Sequence, residues 1–436
     1  MRDVLIHNFL RVSEIPRSSG NEGKIADFFV QVAEDNNLYY FRDKHNNLVI
    51  KKKGNIDGVI ALQAHLDMVT LKEENSKHDF STDGIDVLFD GDRVYAKDTT
   101  LGADQGVGLS IMLTIMEDNT LTHPDIEFLF TTEEENTFNG VVNFPYPEVK
   151  SRRIINLDYH RDDKVIVGSD GDIYNEYLYH GTIINNNLPS YKIELINYPS
   201  GNSGVDIELS EKNAIYELAK LLKDKEVFIS SINGGTFEND IASSCTAIVH
   251  TDLDIEKLSN KNIIIERVKN NTSFTLEDSK NIINEILELK SGYLSSNSSA
   301  NLGMICTSND TINISYLIRS IDLEELNSIN QNSKNLDNNF EVKEVYFDSI
   351  WRKRDSSVLL DKYKKVYYDL YGECPIEDIC HGGTECSVIN KNIVDADIIS
   401  IGANMNNIHT TKEETFISSW EKVYQLLIRL LENLDI

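Results

Sequence analysis

Hydrophobic positions alternate between helical and strand spacing in the first part of the chain. Apolar side chains recur at helical spacing in Glu22–Asn36, and Val107–Met116 has the apolar composition of a buried helix. Short apolar runs at Val59–Leu62, Ile126–Phe130 and Ile154–Leu157 predict buried strands. Strands that alternate with helices indicate an α/β fold with a mostly parallel sheet and helices on both faces.

The pattern changes in the middle of the chain. Two amphipathic helices are predicted there, at Glu211–Lys223 and near Leu276–Leu289. The predicted strands are Tyr191–Asn197, Val227–Ile232, Thr246–His250, Ile263–Val268, Met304–Thr307, Thr311–Ile318 and Phe340–Phe347. The polar stretch Ser295–Asn301 predicts an exposed loop. These elements predict two α+β units whose strands meet in antiparallel hairpins.

The first pattern returns near the end, with a helix at Ser357–Tyr371, a strand at Ala396–Ile401 and a helix at Thr415–Leu431. The simplest architecture is one α/β domain in two pieces, residues 1–172 and 353–436. An inserted α+β domain, residues 173–352, interrupts it.

Composition and charge narrow the class of protein. The 436 residues include 42 Lys and Arg against 71 Asp and Glu, a formal net charge of −29. Because such a surface repels phosphates and anionic lipids, neither nucleic acid nor a membrane is expected as a partner. Met1–Pro16 lacks a signal-peptide pattern, and the 5 cysteines form no CxxC pair. We therefore expect a cytoplasmic protein with free thiols.

Side chains that bind metals follow several predicted strands. They are His65, Asp67, Asp104, Glu134, Glu135, Asp158 and His409. The carboxyl ends of strands in an open α/β sheet form its ligand crevice, so we expect these groups to meet. Each has an ordinary alternative on its own, such as a helix start for the glutamates or a turn for Asp158.

The chemistry of this set favours a metal enzyme. Imidazoles and carboxylates suit zinc, manganese or cobalt. Two imidazoles and only three of the five carboxylates already exceed the usual three protein ligands of one catalytic zinc. Two ions that share a bridging carboxylate are therefore expected. The HExxH pattern of helix-borne zinc sites is absent, and so is GxSxG, which weakens a serine-hydrolase interpretation.

Short motifs are spread in order over the whole chain. They are Ile15–Glu22 (IPRSSGNE), Ala64–Val69 (AHLDMV), Asp98–Gly108 (DTTLGADQGVG), Thr131–Asn136 (TTEEEN), Ile155–Asp158 (INLD), Ser203–Ile207 (SGVDI), Gly234–Asn239 (GGTFEN), Ile318–Ser320 (IRS) and His381–Cys386 (HGGTEC). Together they resemble the aminoacyl-histidine dipeptidases, also called peptidase D or Xaa-His dipeptidases. That family belongs to the wider group of two-zinc exopeptidases and aminoacylases.

The resemblance implies a two-zinc dipeptidase that acts on small peptides, and it implies roles for the matching residues. His65 and Asp158 would bind one zinc, Glu135 and His409 the other, and Asp104 would bridge them. Asp67 would orient His65, and Glu134 would be the general base. The inserted domain would be a lid and the surface of a homodimer. Arg319 would bind the substrate carboxylate, Asn239 would supply a polar contact, and Glu385 is a weaker candidate for the substrate ammonium group.

Two segments of the expected inserted domain depart from the family pattern. The family has GGHSG where this chain has SGNSG, so Asn202 replaces a histidine that helps to stabilise the oxyanion. It has LRNAIPRE where this chain has FENDIASS, Phe237–Ser244. Two alternatives therefore stay open: a related amide hydrolase, such as an aminoacylase or carboxypeptidase, and a non-catalytic homologue that binds metal or peptide.

Overall fold

The structure is a computed structural model that describes residues 1–204, 206–335, 340–347 and 349–434. The described residues divide into two compact units. Unit 1 contains Met1–Gly168, Trp351–Cys380 and the segment from Thr384 onward, and unit 2 contains Ser169–Ile350 and His381–Gly383. The domain limits expected from the sequence, after residues 172 and 352, stay a prediction.

The first segment of unit 1 alternates helices and strands. Its helices are α1 (Arg2–Ser13), α2 (Gly23–Asp35), α3 (Ala103–Glu117) and α4 (Asn139–Val142). Its strands are β1 (Tyr39–Arg42), β2 (Leu48–Lys52), β3 (Val59–His65), β4 (Val87–Asp90), β5 (Arg93–Ala96), β6 (Asp125–Thr131), β7 (Arg153–Asn156) and β8 (Lys164–Ser169).

Unit 2 is rich in strands. They are β9 (Gly171–His180), β10 (Ile183–Asn185), β11 (Ser190–Leu195), β12 (Phe228–Gly234), β13 (Cys245–His250), β14 (Ile263–Val268), β15 (Thr272–Phe274), β16 (Gly292–Tyr293), β17 (Ser298–Ser308), β18 (Thr311–Ser320) and β19 (Phe340–Phe347). Its helices are α5 (Ala214–Leu222), α6 (Leu276–Glu288) and α7 (Leu323–Lys334).

The chain then returns to unit 1. This part contains α8 (Val358–Tyr371), β20 (Ile376–Cys380), α9 (Glu385–Asn392), β21 (Asp397–Ser400), β22 (Met405–Asn406), β23 (Glu414–Phe416) and α10 (Ile417–Glu432). Within the described ranges, none of the helices combines the length and the apolar composition needed to cross a membrane.

The main sheet of unit 1 is parallel at its centre. Its strand order is β1-β2-β6-β3-β7-β21-β8-β20. The neighbours β6, β3, β7 and β21 run parallel, whereas β1, β2 and β8 pair antiparallel at the flanks. Because parallel neighbours end at the same edge, the residues that follow β3, β6 and β7 emerge side by side.

Helices cover both faces of this sheet, as the sequence predicts. Along β3 the buried side chains alternate: Ile60 and Leu62 join the core that contains Phe29 and Trp420. Ala61 joins a second core on the opposite face, which also contains residues of α4 and α9. This alternation follows from the two-residue period of a strand and confirms the predicted α/β layers.

Unit 2 differs from the prediction of two α+β units. Its strands form one nine-stranded sheet in the order β14-β11-β13-β12-β17-β18-β9-β19, with β16 paired to β17. Strand β14 pairs with β11, and Gly234 of β12 pairs with Ile305 of β17, so earlier and later strands of this segment belong to the same sheet. One hydrophobic core, with residues of α5, α6 and α7, lies against this sheet. The two helices predicted here correspond to α5 and α6, whereas α7 was not predicted. Periodicity within a segment does not show which strands pair across the sequence.

The predicted exposed loop at Ser295–Asn301 is wrong for its second half. Ser298 to Asn301 begin β17 and are buried. The side-chain donors of Ser298 and Asn301 are hydrogen-bonded inside the protein: Ser298 Oγ donates to Ser320 Oγ at 2.8 Å. Asn301 Nδ2 donates to the carbonyls of Glu238 at 3.0 Å and Asp240 at 2.7 Å. Polarity alone therefore misidentified a buried, hydrogen-bonded strand as a loop.

We expect Asn301→Ala to lower the free energy of unfolding by about 1–3 kcal/mol, because it leaves the part-buried carbonyls of Glu238 and Asp240 without this donor. Asn297→Ala is the matched control, since Asn297 is exposed in the preceding turn, and a change within about 0.5 kcal/mol is expected. Urea unfolding followed by circular dichroism measures both. Equal effects from the two substitutions would contradict this account of Asn301.

Candidate metal centre

The strand ends of unit 1 bring the predicted site residues together. His65 is the last residue of β3, and Asp67 follows it by two positions. Glu134 and Glu135 follow β6, and Asp158 follows β7. Asp104 lies at the start of α3, and His409 lies between β22 and β23.

Two imidazoles approach the same carboxylate from different sides. His65 Nε2 lies 3.2 Å from Asp104 Oδ1 and 3.5 Å from Asp158 Oδ1. His409 Nε2 lies 3.3 Å from Asp104 Oδ2 and 3.0 Å from Glu135 Oε2. In each of the sets His65–Asp104–Asp158 and Asp104–Glu135–His409, the potential ligand atoms lie within 4.8 Å of one another. Asp104 thus belongs to both sets and offers one oxygen to each.

Glu134 lies beside the first set. Its Oε2 is 4.0 Å from His65 Nε2, and His65, Glu134 and Glu135 form a third group with potential ligand atoms within 4.8 Å. Glu134 therefore belongs to the cluster, but it is not a member of either of the two ligand sets that share Asp104.

Asp67 holds the loop that carries both glutamates. Its Oδ1 accepts the backbone N–H of Glu134 at 3.1 Å, and its Oδ2 accepts that of Glu135 at 3.1 Å. Oδ2 also accepts the hydroxyl of Ser19 at 2.7 Å, and Oδ1 lies 3.4 Å from His65 Nδ1. Asp67 thus contacts His65, as the sequence suggests, and also fixes the position of the two residues that follow β6.

The electrostatics of the cluster favour positive charge. Burial raises the pKa of Glu134 well above its ordinary value and that of Asp158 to about 6. Burial lowers the pKa of His409, but its hydrogen bonds to Asp104 and Glu135 outweigh burial and raise it to about 11. Because these groups hold their protons strongly when no metal is bound, a metal cation that takes the place of the protons is favoured there.

The donor set fits a divalent metal ion. Glu135 Oε1 is buried and has no hydrogen-bond partner among the residues that the structure describes, whereas Oε2 lies beside His409. A buried carboxylate oxygen without a partner is costly unless a cation contacts it. Imidazole nitrogens with carboxylate oxygens are ligands of zinc, manganese and cobalt, so the residues present fit these ions.

Several supporting residues were missed by the sequence reasoning. Gln105 Nε2 donates to Asp158 Oδ1, and the peptide bond between Asp104 and Gln105 is cis. Glu22 Oε1 accepts the backbone N–H of Glu133 at 3.1 Å. Gln105, Glu22 and Ser19 all lie inside the recognised motifs, so the signal was present, but their residue types gave no role without the fold.

Glu385 lies in unit 1 and is completely buried, with 0% exposure. Its Oε2 accepts hydrogen bonds from Gln63 Nε2 at 2.6 Å and Thr131 Oγ1 at 2.8 Å. Burial raises its pKa to about 8. Asn156 Nδ2 donates to Gln63 Oε1 at 2.6 Å, so this network joins β3, β6 and β7 at or near their carboxyl ends.

The other predicted substrate residues lie in unit 2. Arg319 Nη1 donates to Ser203 Oγ at 2.7 Å, and Ser203 N donates to the carbonyl of Asn239 at 2.8 Å. Asn202 precedes Ser203 and forms a bridge with Asp240. Arg319, Asn239 and Asn202 are therefore neighbours within this unit. Val205, in the motif at 203–207, lies outside the described residues.

A parallel-centred α/β sheet with imidazoles and carboxylates gathered at its carboxyl edge defines a metal-dependent enzyme class. Residues 61–433 match the sequence pattern of peptidase family M20/M25/M40, and the chain belongs to this family. It is thus a peptide-bond hydrolase by family.

Similar proteins extend along almost the whole chain. The cytosol non-specific dipeptidase of Escherichia coli (strain K12) is 25% identical over an alignment of 469 residues. The alignment covers 98% of this chain and 96% of that protein. The structure of aminoacylhistidine dipeptidase from Vibrio alginolyticus matches with a TM-score of 0.81 and 24% identity over 98% of this chain and 96% of its own. A tripeptidase from Staphylococcus aureus matches with a TM-score of 0.65 and 16% identity, over 99% and 98%. These structural likenesses show the fold.

We expect divalent zinc, manganese or cobalt to stabilise the chain by about 2.7 kcal/mol per independent site at 100 times its dissociation constant. Asp104→Asn should remove most of this gain, because Asp104 belongs to both ligand sets. Asp98→Asn, an exposed aspartate of the same motif, is the control. Thermal unfolding with and without metal and a chelator measures the effect. A full metal response in Asp104→Asn would contradict the shared role.

Proposed function

We propose that this chain is a two-metal dipeptidase that hydrolyses small peptides, of the Xaa-His type or broader. Zinc is the proposed metal, with manganese or cobalt as alternatives. The observation that carries the proposal is Asp104, whose two oxygens lie 3.2 and 3.3 Å from two different histidines. The names of the Escherichia coli and Vibrio relatives support dipeptides as the substrate class.

We assign His65 and Asp158 to one ion, Glu135 and His409 to the other, and Asp104 to both. When bound, the two ions would polarise the peptide carbonyl and lower the pKa of the attacking water. Asp67 holds His65 and the backbone of Glu134 and Glu135 in place, which orients a ligand of each ion.

Glu134 is the proposed general base. Asp67 fixes its backbone, and its carboxylate reaches 4.0 Å from His65 Nε2 without being needed in either shared set. It would accept the proton of the attacking water and return it to the leaving amine.

Arg319, Asn239 and Asn202 are proposed to bind the substrate. Arg319 is 5% exposed, and its guanidinium is oriented by Ser203 and by Asp172, whose Oδ2 lies 3.3 Å from Nε. An oriented guanidinium fork suits a carboxylate. Asn202 Oδ1 accepts the N–H of Gly204 at 2.8 Å, and its amide Nδ2 is the donor that we propose for the oxyanion. Glu385 remains the weaker candidate for the substrate ammonium, since it is buried.

The proposal also includes a cytoplasmic location and a homodimer formed through the inserted domain. The name of the Escherichia coli relative supports the first, and the family resemblance supports the second. An aminoacylase or carboxypeptidase activity is the runner-up, because the segment Phe237–Ser244, which contains Glu238 and Asp240, departs from the family pattern and is consistent with a changed substrate specificity.

Glu134→Gln should lower kcat for dipeptides by about 10²–10⁴-fold, because the amide cannot accept the proton, while metal binding is retained. Glu133→Gln is the control, since the neighbouring Glu133 contacts Thr137 and Asn139 rather than the cluster. Release of free amino acids from a dipeptide panel and metal content measure the two effects. Undiminished hydrolysis by Glu134→Gln would remove Glu134 as the base.

Arg319→Lys should lower kcat/KM for dipeptides by about 10- to 150-fold, the equivalent of a charged hydrogen bond of about 1.5–3 kcal/mol. The lysine keeps a cation beside Asp172 but loses the fork. Dipeptide amides, which lack the free carboxylate, should be affected little. Arg267→Lys, on an exposed position of β14, is the control. If N-acyl amino acids are hydrolysed faster than dipeptides, the runner-up activity replaces the proposal.

A further inference from the structure

Two buried ionic residues of unit 1 have no role in the proposed chemistry. Arg17 is 2% exposed and Glu413 is 3% exposed. Within the described residues, the hydrogen bonds of both side chains go to backbone groups of the segments that carry the metal-binding residues. We call Arg17 and Glu413 together the buried brace.

Arg17 joins the end of β3 to the loop before α3. Its Nη1 donates to the carbonyls of Leu66 at 3.1 Å and Asp67 at 2.5 Å, and its Nη2 donates to the carbonyl of Gly102 at 2.5 Å. The planar guanidinium can bridge these carbonyls because its donors point in fixed, divergent directions. Arg17 therefore sets the separation between the segment of His65 and Asp67 and the segment of Asp104.

Glu413 joins the same loop to the segment of His409. Its Oε2 accepts the N–H groups of Leu101 at 2.8 Å and Gly102 at 3.0 Å. Its Oε1 accepts those of Ala103 at 2.8 Å and, less closely, Asp104 at 3.4 Å. The carboxylate thus satisfies the free N–H groups at the start of α3, where negative charge is favourable. A turn bond from Glu413 N to Thr410 O, 3.1 Å long, ties His409 to this anchor.

The two side chains meet at Gly102. Arg17 binds its carbonyl, and Glu413 binds its N–H. Gly102 has a φ of +67°, and a Cβ there would lie 2.7 Å from Arg17 Nη2 and 2.7 Å from Met68 Sδ. The glycine of the TLGAD motif is therefore required by the close approach of the brace as well as by its left-handed backbone.

We propose that Arg17 and Glu413 are positioning residues that fix the spacing of the metal-binding segments. The affinity for the ion assigned to Glu135 and His409 therefore depends on them. The inference rests on the proposed two-metal centre. The brace acts through the backbone of Asp104, of His409 and of the segment after His65, and it does not touch the ions. Partners behind metal ligands commonly contribute about 10–100-fold to metal affinity.

The test uses Glu413→Gln and Arg17→Lys in the full chain. Glu413→Gln keeps the shape of the side chain but turns an amide N–H₂ towards N–H donors. Arg17→Lys keeps the charge but loses the planar fork that bridges β3 and Gly102. We expect zinc binding to weaken about 10–100-fold in each. The ion assigned to Glu135 and His409 should be lost first in Glu413→Gln, so that the stoichiometry falls from two towards one.

Lys52→Met is the matched control. Lys52 is a buried cation that donates to the carbonyls of Ile115, Met116 and Asp118 at 2.7, 3.2 and 2.6 Å, at the opposite end of α3. Its loss should lower the melting temperature of the metal-free chain and leave zinc affinity and stoichiometry unchanged. Circular dichroism of the metal-free variants checks that each is folded.

Competition with a chromophoric chelator gives affinity and stoichiometry, and the visible absorption of bound cobalt reports ligand geometry independently of activity. Weaker binding and an altered cobalt spectrum in the brace variants alone support the proposal. Wild-type binding in both brace variants overturns it, and so does equal weakening in Lys52→Met, which would indicate general destabilisation. If the wild-type chain binds no metal, the proposed function itself fails.

Discussion

The structure depends on holding five carboxylates together in a partly buried space. Asp67, Asp104, Glu134, Glu135 and Asp158 converge where three parallel strands end. Like charges at such distances repel, and burial removes the water that would weaken this repulsion. The fold offsets part of it with His65 and His409 and with backbone N–H groups directed at Asp67. The repulsion that remains favours the binding of a cation at this site.

The same constraint explains how much of the site the sequence reveals. Ionisable residues directly after apolar runs predict that His65, Glu135 and Asp158 share one edge of a parallel sheet. The pairing of Asp104 with both histidines depends on the loop before α3 and on the turn near His409, whose backbone has a φ of +60°. No hydrophobic period records those two loops. The hydrophobic pattern therefore predicted which groups meet at the sheet edge, whereas the bridging position of Asp104 was implied only by the family resemblance.

The errors in unit 2 have a related cause. Periodicity identifies a strand from its own residues, whereas pairing and burial depend on residues far away in the chain. Ser298 and Asn301 look like loop residues, yet Ser320 and the carbonyls of Glu238 and Asp240 satisfy them inside a sheet. Strand β9 was not predicted at all, although β18 and β19 both pair with it. Long-range hydrogen bonds, which local patterns do not encode, decide these positions.

The buried brace shows why a charged residue can matter without entering the chemistry. Arg17 and Glu413 have opposite charges, and the side chain of each forms hydrogen bonds with backbone groups beside the carboxylate cluster. The guanidinium of Arg17 places a positive charge near Asp67 and Asp104 in a molecule whose net charge is −29. This positive charge favours the ionised form of Asp67 and Asp104. Positioning by backbone contacts is therefore the effect that Arg17 and Glu413 share, whereas compensation of charge comes from Arg17 alone, since Glu413 adds a negative charge beside Asp104.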